Sequence, residues 1–150
     1  MATKPFDAGE IFIQLKTETF EDFGETAFAM LRNLIFRSPV GDPTRWQNPE
    51  GAPPGYVGGH FRRNWLVSIG GFNASELDGI DQNGAPTLAA GFAQIKRFER
   101  AKKGVNLVLQ NNVPYANRLA LGHSTTAKAG WVDRQIDAAL SIPGGRKDLD

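Results

Sequence analysis

Cysteine is absent from the 150-residue chain. That excludes disulfide frameworks, thiol catalysis and Cys-containing zinc sites, and nothing points to an oxidising compartment. No apolar run reaches the roughly 18 residues that mark a spanning helix. The opening MATKPFDAGE lacks the basic-then-apolar order of a signal peptide, so a soluble, unprocessed chain is expected. Histidine is scarce: His60 and His123 are the two, and neither lies in an H-x-x-x-H or H-x-x-E-H setting. A metal site is not expected, nor any cofactor. A large excess of one charge is also missing, since 17 basic and 16 acidic residues leave a net +1. Sequence-reading duplex binders normally carry a stronger basic excess.

Catalytic patterns are equally thin. His123 and Ser124 with a remote Asp could imitate a hydrolytic triad, but geometry defines such triads and no G-x-S-x-G accompanies them. The paired glycines have neither a trailing Lys-Ser/Thr nor Rossmann spacing. In DGIDQNG (78–84), aligning Gly84 with the glycine of a calcium loop puts Gly79 and Ala90 at the first and twelfth positions, where carboxylates are needed. A turn built on Asp and Asn is the expectation there. The chain is therefore not expected to be an enzyme.

What is present is one domain's worth of apolar sequence, 41% hydrophobic with ten Phe, together with 17 Gly and nine Pro that imply long loops. Phe20, Phe23, Ala27, Leu31, Leu34 and Ile35 recur at helical spacing, which predicts an amphipathic helix over 20–37, widened by Phe28 and Met30. Thr19 and Asp22 would cap it and Pro39 would stop it. Ile11 to Leu15 reads as a short strand or as the helix's first turns. Residues 63–70 read as a strand, apolar on both faces and so suited to a central position. A turn-rich connector at 72–86 follows. A helix is expected at 87–101, with Leu88, Phe92, Ile95 and Phe98 inward and Lys96, Arg97 and Arg100 outward. That basic run suits a solvated face or a partner-facing patch. A strand at 105–110 and a short helix from Pro114 come next, with Tyr115, Leu119 and Leu121 inward and Gly122 at C′. Residues 130–140 suit a third helix, or a strand beginning at Trp131. The tail, 142–150, has little to bury and should be loose. The fold class expected is α+β: the N-terminal helix packed on a small mixed or antiparallel sheet, with further helices.

Residues 38–60 hold five Pro and five Gly. Such a stretch is either a floppy insertion or an arm ordered against a neighbouring subunit. Trp46 and Tyr56 favour the arm, because large aromatics anchor interfaces. With His60, Arg62 and Arg63 they form the candidate contact set for a neighbouring subunit or ring. Trp65 is expected in the core. Trp46 suits a surface role, and Trp131 stays undecided.

Two ordered segments carry a resemblance. Ser38-Pro39-Val40 and then Arg62-Arg63-Asn64-Trp65 with Val67-Ser68-Ile69-Gly70 look like the two ends of a T/S-P-V…R/K-x-x-W motif, its short D-T-G link replaced by a longer loop. Asn111, Pro114, Tyr115, Ala116, Leu119, Gly122, His123 and Ser124, then Ala129 and Gly130, match an N-x-x-P-Y-A-x-x-L/I-E-x-G-H/W-S…A-x-G motif, with Ala120 where an acidic residue is common. These resemble the signatures of a tailed-phage tail-component family that includes gene product 10 of phage HK97. The resemblance spans about residues 18–140. It implies a virion structural protein, a self-assembled ring (hexameric in many members) at the head–tail junction. That ring would join a head-closure or connector protein to a tail terminator or tail tube, with DNA passing through the lumen unread and no membrane involved. Pro39, Trp65, Gly70, Pro114, Tyr115, Gly122, His123 and Gly130 would be its structural signature residues. Tail-terminator and head-closure rings, and an assembly adaptor or chaperone outside the particle, are the alternatives.

Overall fold

A computed structural model of the chain describes residues 11–16, 23–41, 48–100, 105–122 and 128–141. Ile11–Leu15 is a strand, β1, so the helical alternative for this stretch falls away. The first helix, α1, spans Phe23–Arg37 and buries Ala27, Met30, Leu31, Leu34 and Ile35 on one stripe. Its expected caps, Thr19 and Asp22, and Phe20 lie outside the described residues. Pro49–Gly51 forms a single 3-10 turn. A four-residue helix, α2, covers His60–Arg63 and leads into β2, Trp65–Ile69. Then come α3 (Ala85–Glu99), β3 (Leu107–Asn111), α4 (Ala116–Ala120) and α5 (Trp131–Leu140).

The sheet is antiparallel with order β1-β3-β2. Ile11, Ile13 and Leu15 lie opposite Asn111, Leu109 and Leu107, and these lie opposite Trp65, Val67 and Ile69. Side chains alternate across a strand, so these nine positions share one face. That face meets the helices: α3 packs on β2, and α1 packs on α3 and α5. Gly91 permits the closest approach, because a Cβ there would lie 2.3 Å from Leu31 Cδ2 and 3.2 Å from Val67 Cγ2. One hydrophobic core joins strands and helices, from Ile11 through Leu31, Trp65 and Leu109 to Trp131. The α+β expectation holds, with the sheet antiparallel and a helix layer on it.

Several local expectations need correction. The central strand is β3, buried at every position, while β2 is an outer strand. The apolar second face of β2 comes from Leu66, which lies opposite Gln110. Arg63 and Asn64 are not strand residues: Gly59, at φ +123°, turns the chain into α2, and Asn64 caps its end. Helix α3 starts at Ala85, earlier than expected, since Pro86 suits a first turn. Phe92 is not inward; it is 41% exposed and meets Phe28 edge-on. Pro114 and Tyr115 form a turn ahead of α4, and Tyr115 and Leu121 face outward at 39% and 61% exposure. Val113 and Ala116 fill the inward positions instead. Trp131 begins a helix, and is buried.

Candidate functional site

Both halves of the first motif meet at the end of α1. Ser38 Oγ donates to the Leu34 carbonyl (2.6 Å) and accepts from Trp65 Nε1 (2.6 Å). Arg62 Nη2 donates to the carbonyls of Phe36 (3.2 Å) and Ser38 (3.0 Å), and Nη1 donates to that of Gln82. A guanidinium thereby satisfies carbonyls that the helix end leaves without partners, at the negative end of its dipole. Burial lowers the pKa of Arg62, against the opposing pull of Asp81. The second motif docks on the same place. Phe61 meets Trp65 and Trp131 edge-on, with centroids at 5.7 and 6.1 Å. Trp131 Nε1 donates to the Leu119 carbonyl (2.9 Å), and Asn111 Nδ2 donates to the Phe61 carbonyl (2.8 Å).

Irregular backbone must find hydrogen-bond partners somewhere. The connector from Gly70 to Gly84 finds them in side-chain amides. Asn64 accepts from the Leu77 amide (2.6 Å) and donates to the carbonyls of Leu77 (3.1 Å) and His60 (2.9 Å). Gln110 accepts from the Asn73 amide (2.9 Å) and donates to the Asn73 carbonyl and Asn112 Oδ1. Asn112 Nδ2 donates to the carbonyls of Asn73 (2.5 Å) and Ser75 (2.7 Å). Asp81 completes the hold, accepting from the amides of Gly84 (2.7 Å) and Thr87 (2.9 Å). Burial opposes its charge, but Thr87, the Gly84 amide and Arg62 outweigh that and keep its pKa below the ordinary value. The Thr87 hydroxyl sits beside this carboxylate without hydrogen-bond geometry to any group.

The long loop leaves and returns at one point. A Cβ on Gly58 would lie 2.1 Å from the Gly41 carbonyl oxygen, and one on Gly59 about as close as 3.1 Å to Asp81 backbone. Tyr56 lays its hydroxyl over Gly41. Around this knot the surface is apolar. Val57 (49% exposed) precedes Gly58, and Ile80 (45%) precedes Asp81. Phe36 (46%) lies against Gly84, and Tyr115 stands close enough to Tyr56 and Glu76 to feel both. Burial first, then those two neighbours, push the Tyr115 phenol up to about 12. His60 bridges the rim, with Nδ1 2.8 Å from the Gly79 carbonyl oxygen and Nε2 2.9 Å from Glu76 Oε1. A cleft of about 140 Å³ runs beside β2, lined by Arg63, Trp65, Leu66, Asn73, Thr87 and Gln94 among others.

Of the candidate contact residues, Tyr56 is at this surface and Arg63 lines the cleft. His60 and Arg62 have their ring and guanidinium engaged within the chain. Trp46 and His123 lie outside the described residues. Pro39 and Trp65 are buried. Gly70, Gly122 and Gly130 have φ of +85°, +95° and +78°, which other residues rarely adopt. Pro114 and Tyr115 are exposed. The amides of Asn64, Gln110 and Asn112 escaped notice as a group; the polar Q-N-N run closing an apolar strand was the available signal. Among the described residues no three His, Cys, Asp or Glu cluster as a metal site, and no helix is long and apolar enough to cross a membrane. Comparison with protein families, curated proteins and solved structures gives no match for the chain.

Proposed function

We propose that this chain is a structural virion protein of a tailed phage, a ring subunit at the head–tail junction. In this reading copies associate head-to-tail until rotation closes the ring. The ring joins a connector to the tail and leaves a channel through which DNA passes unread. What supports the reading from sequence is the pair of ordered motifs. The observation that carries it on the molecule is the exposed apolar surface of Phe36, Tyr56, Val57, Ile80 and Tyr115, gathered at the base of the 41–58 excursion. Grouped apolar exposure of this kind marks an association surface more often than scattered single residues do.

Light scattering after size exclusion, with native mass spectrometry, tests it. A discrete closed oligomer is expected, and Val57→Asp with Ile80→Ser should lower its population while leaving circular dichroism unchanged. A chain that stays monomeric at high concentration and binds neither connector nor tail tube would overturn the ring reading. Copy number in purified particles separates a ring component from an assembly adaptor, which would be absent from them.

A further inference from the structure

His60 opens α2, and its ring faces the connector rather than its own helix. Nδ1 stands 2.8 Å from the Gly79 carbonyl oxygen, and Nε2 stands 2.9 Å from Glu76 Oε1. A carbonyl oxygen only accepts hydrogen bonds, and so does an ionised carboxylate. A neutral imidazole carries one N–H and can satisfy one of these acceptors. The imidazolium carries two and satisfies both. The third polar neighbour, Asn64 Nδ2 at 3.5 Å from Nε2, supplies no alternative. Its two hydrogens already go to the carbonyls of His60 and Leu77.

The charged groups facing the ring are Glu76 and Asp78, both on the connector. The cations of its own helical turn face elsewhere, Arg62 toward Phe36, Ser38 and Gln82, and Arg63 into the cleft beside β2. Tyr115, which also faces Glu76, stays neutral over the range in which histidine titrates.

We propose that His60 is a protonation-controlled clamp: its imidazolium form fastens residues 76–79 to α2 by two donated hydrogen bonds, and its neutral form must release one of them. Burial opposes the charge most strongly, but Glu76, the Gly79 carbonyl and Asp78 together reverse that and raise the pKa above 6.5. The linkage sign follows. A raised folded pKa gives a contribution fully present below the unfolded value and lost as pH rises through the folded one. The anchor between Asn64 and Leu77 holds no titrating group and persists in both states. Release is therefore local, and it loosens the segment leading to Ile80 and the edge of the Tyr56–Tyr115 surface. The clamp stands whatever partner that surface meets.

Proton NMR of the imidazoles, with the carbon shifts of the Gly79 carbonyl and the Glu76 carboxyl, tests the clamp on the intact chain. His60→Gln removes one of two imidazole signals and so assigns the other; His123→Gln serves the same end if the first variant folds poorly. In the wild type His60 should titrate above 6.5, and Glu76→Gln, at a half-exposed position, should move that value down. The carbon shift of the Gly79 carbonyl or of the Glu76 carboxyl, the two acceptors of the clamp, should move with the His60 midpoint between about pH 6 and about pH 8.5. A His60 that titrates at or below 6.5, or that ignores Glu76→Gln, overturns the proposal. So does a wild type in which neither carbon shift follows the His60 titration.

Discussion

Asn64 is wholly buried and uses both ends of its amide on backbone groups thirteen residues away and one turn behind. Asn64→Ala would strip the part-buried Leu77 amide and carbonyl of their partners. A buried group left unsatisfied costs roughly 1–3 kcal/mol and a part-buried one less, so a total loss of about 1–3 kcal/mol is expected, read as a lower urea midpoint at unchanged slope. Asn64→Asp should fare no better, because its carboxylate would face the carbonyls of His60 and Leu77. Gly91→Ala probes the opposite fault. Its new methyl would press on Leu31 and Val67, both buried, and overpacking of this kind costs about 1–3 kcal/mol. Ala is the better helix former by about 1 kcal/mol, a gain that offsets part of the crowding, and thermal melts of Ala90→Gly at an exposed neighbour should measure it.

At the scale of elements, periodicity exposed what packing alone decides. The stripe through Ala27, Leu31, Leu34 and Ile35 names α1 because a helix one side of which is apolar has few other ways to bury it. The connector was opaque for the converse reason. Its backbone is held by Asn64, Gln110 and Asn112, which arrive from distant parts of the chain, and no local pattern announces them. The five-residue helix α4 misled similarly: at that length, spacing cannot distinguish Tyr115 and Leu121 outward from the same residues inward. The contact set at His60 and Arg62 was legible as residues with a purpose, but not as residues already engaged inside the chain. The same connector ends in a cap that can be measured. Asp81→Asn leaves one amide oxygen for the two amides of Gly84 and Thr87, and the lost charge-assisted hydrogen bond should cost about 1.5–3 kcal/mol at neutral pH. The folded pKa of Asp81 is depressed, so its charge stabilises above the unfolded value of 3.8 and that contribution fades as pH falls through the folded one. Acid titrations of stability for the two proteins should therefore diverge above about pH 4 and converge below it.

The whole molecule closes the 41–58 excursion with glycines in contact. That geometry changes where the loop can be cut. Replacing residues 42–57 by a short Gly-Ser link should leave melting within about 1 kcal/mol of wild type, since loop length enters closure entropy only logarithmically. A replacement reaching through His60 should unfold the chain. It would remove Gly58 from Gly41, Gly59 from Asp81, and the first residue of α2. Circular dichroism and urea melts distinguish the two deletions. If the shorter one also abolishes the oligomer peak in size exclusion, the excursion belongs to the association surface.

The order of the sheet also sets a timetable. β3 is the central strand, yet it is the last of the three to be made, and Leu15 waits for Leu107 before it has a partner. At about 5–20 residues per second, a ribosome spends roughly 5–20 seconds between those two residues. For that interval the nascent chain carries two strands that do not pair with each other in the finished fold, and an α1 whose partner α5 has yet to be made. Vectorial synthesis therefore gives this chain no stable halfway state. The sheet can close only after Leu107–Asn111 has been made, and then both of its ladders become available together.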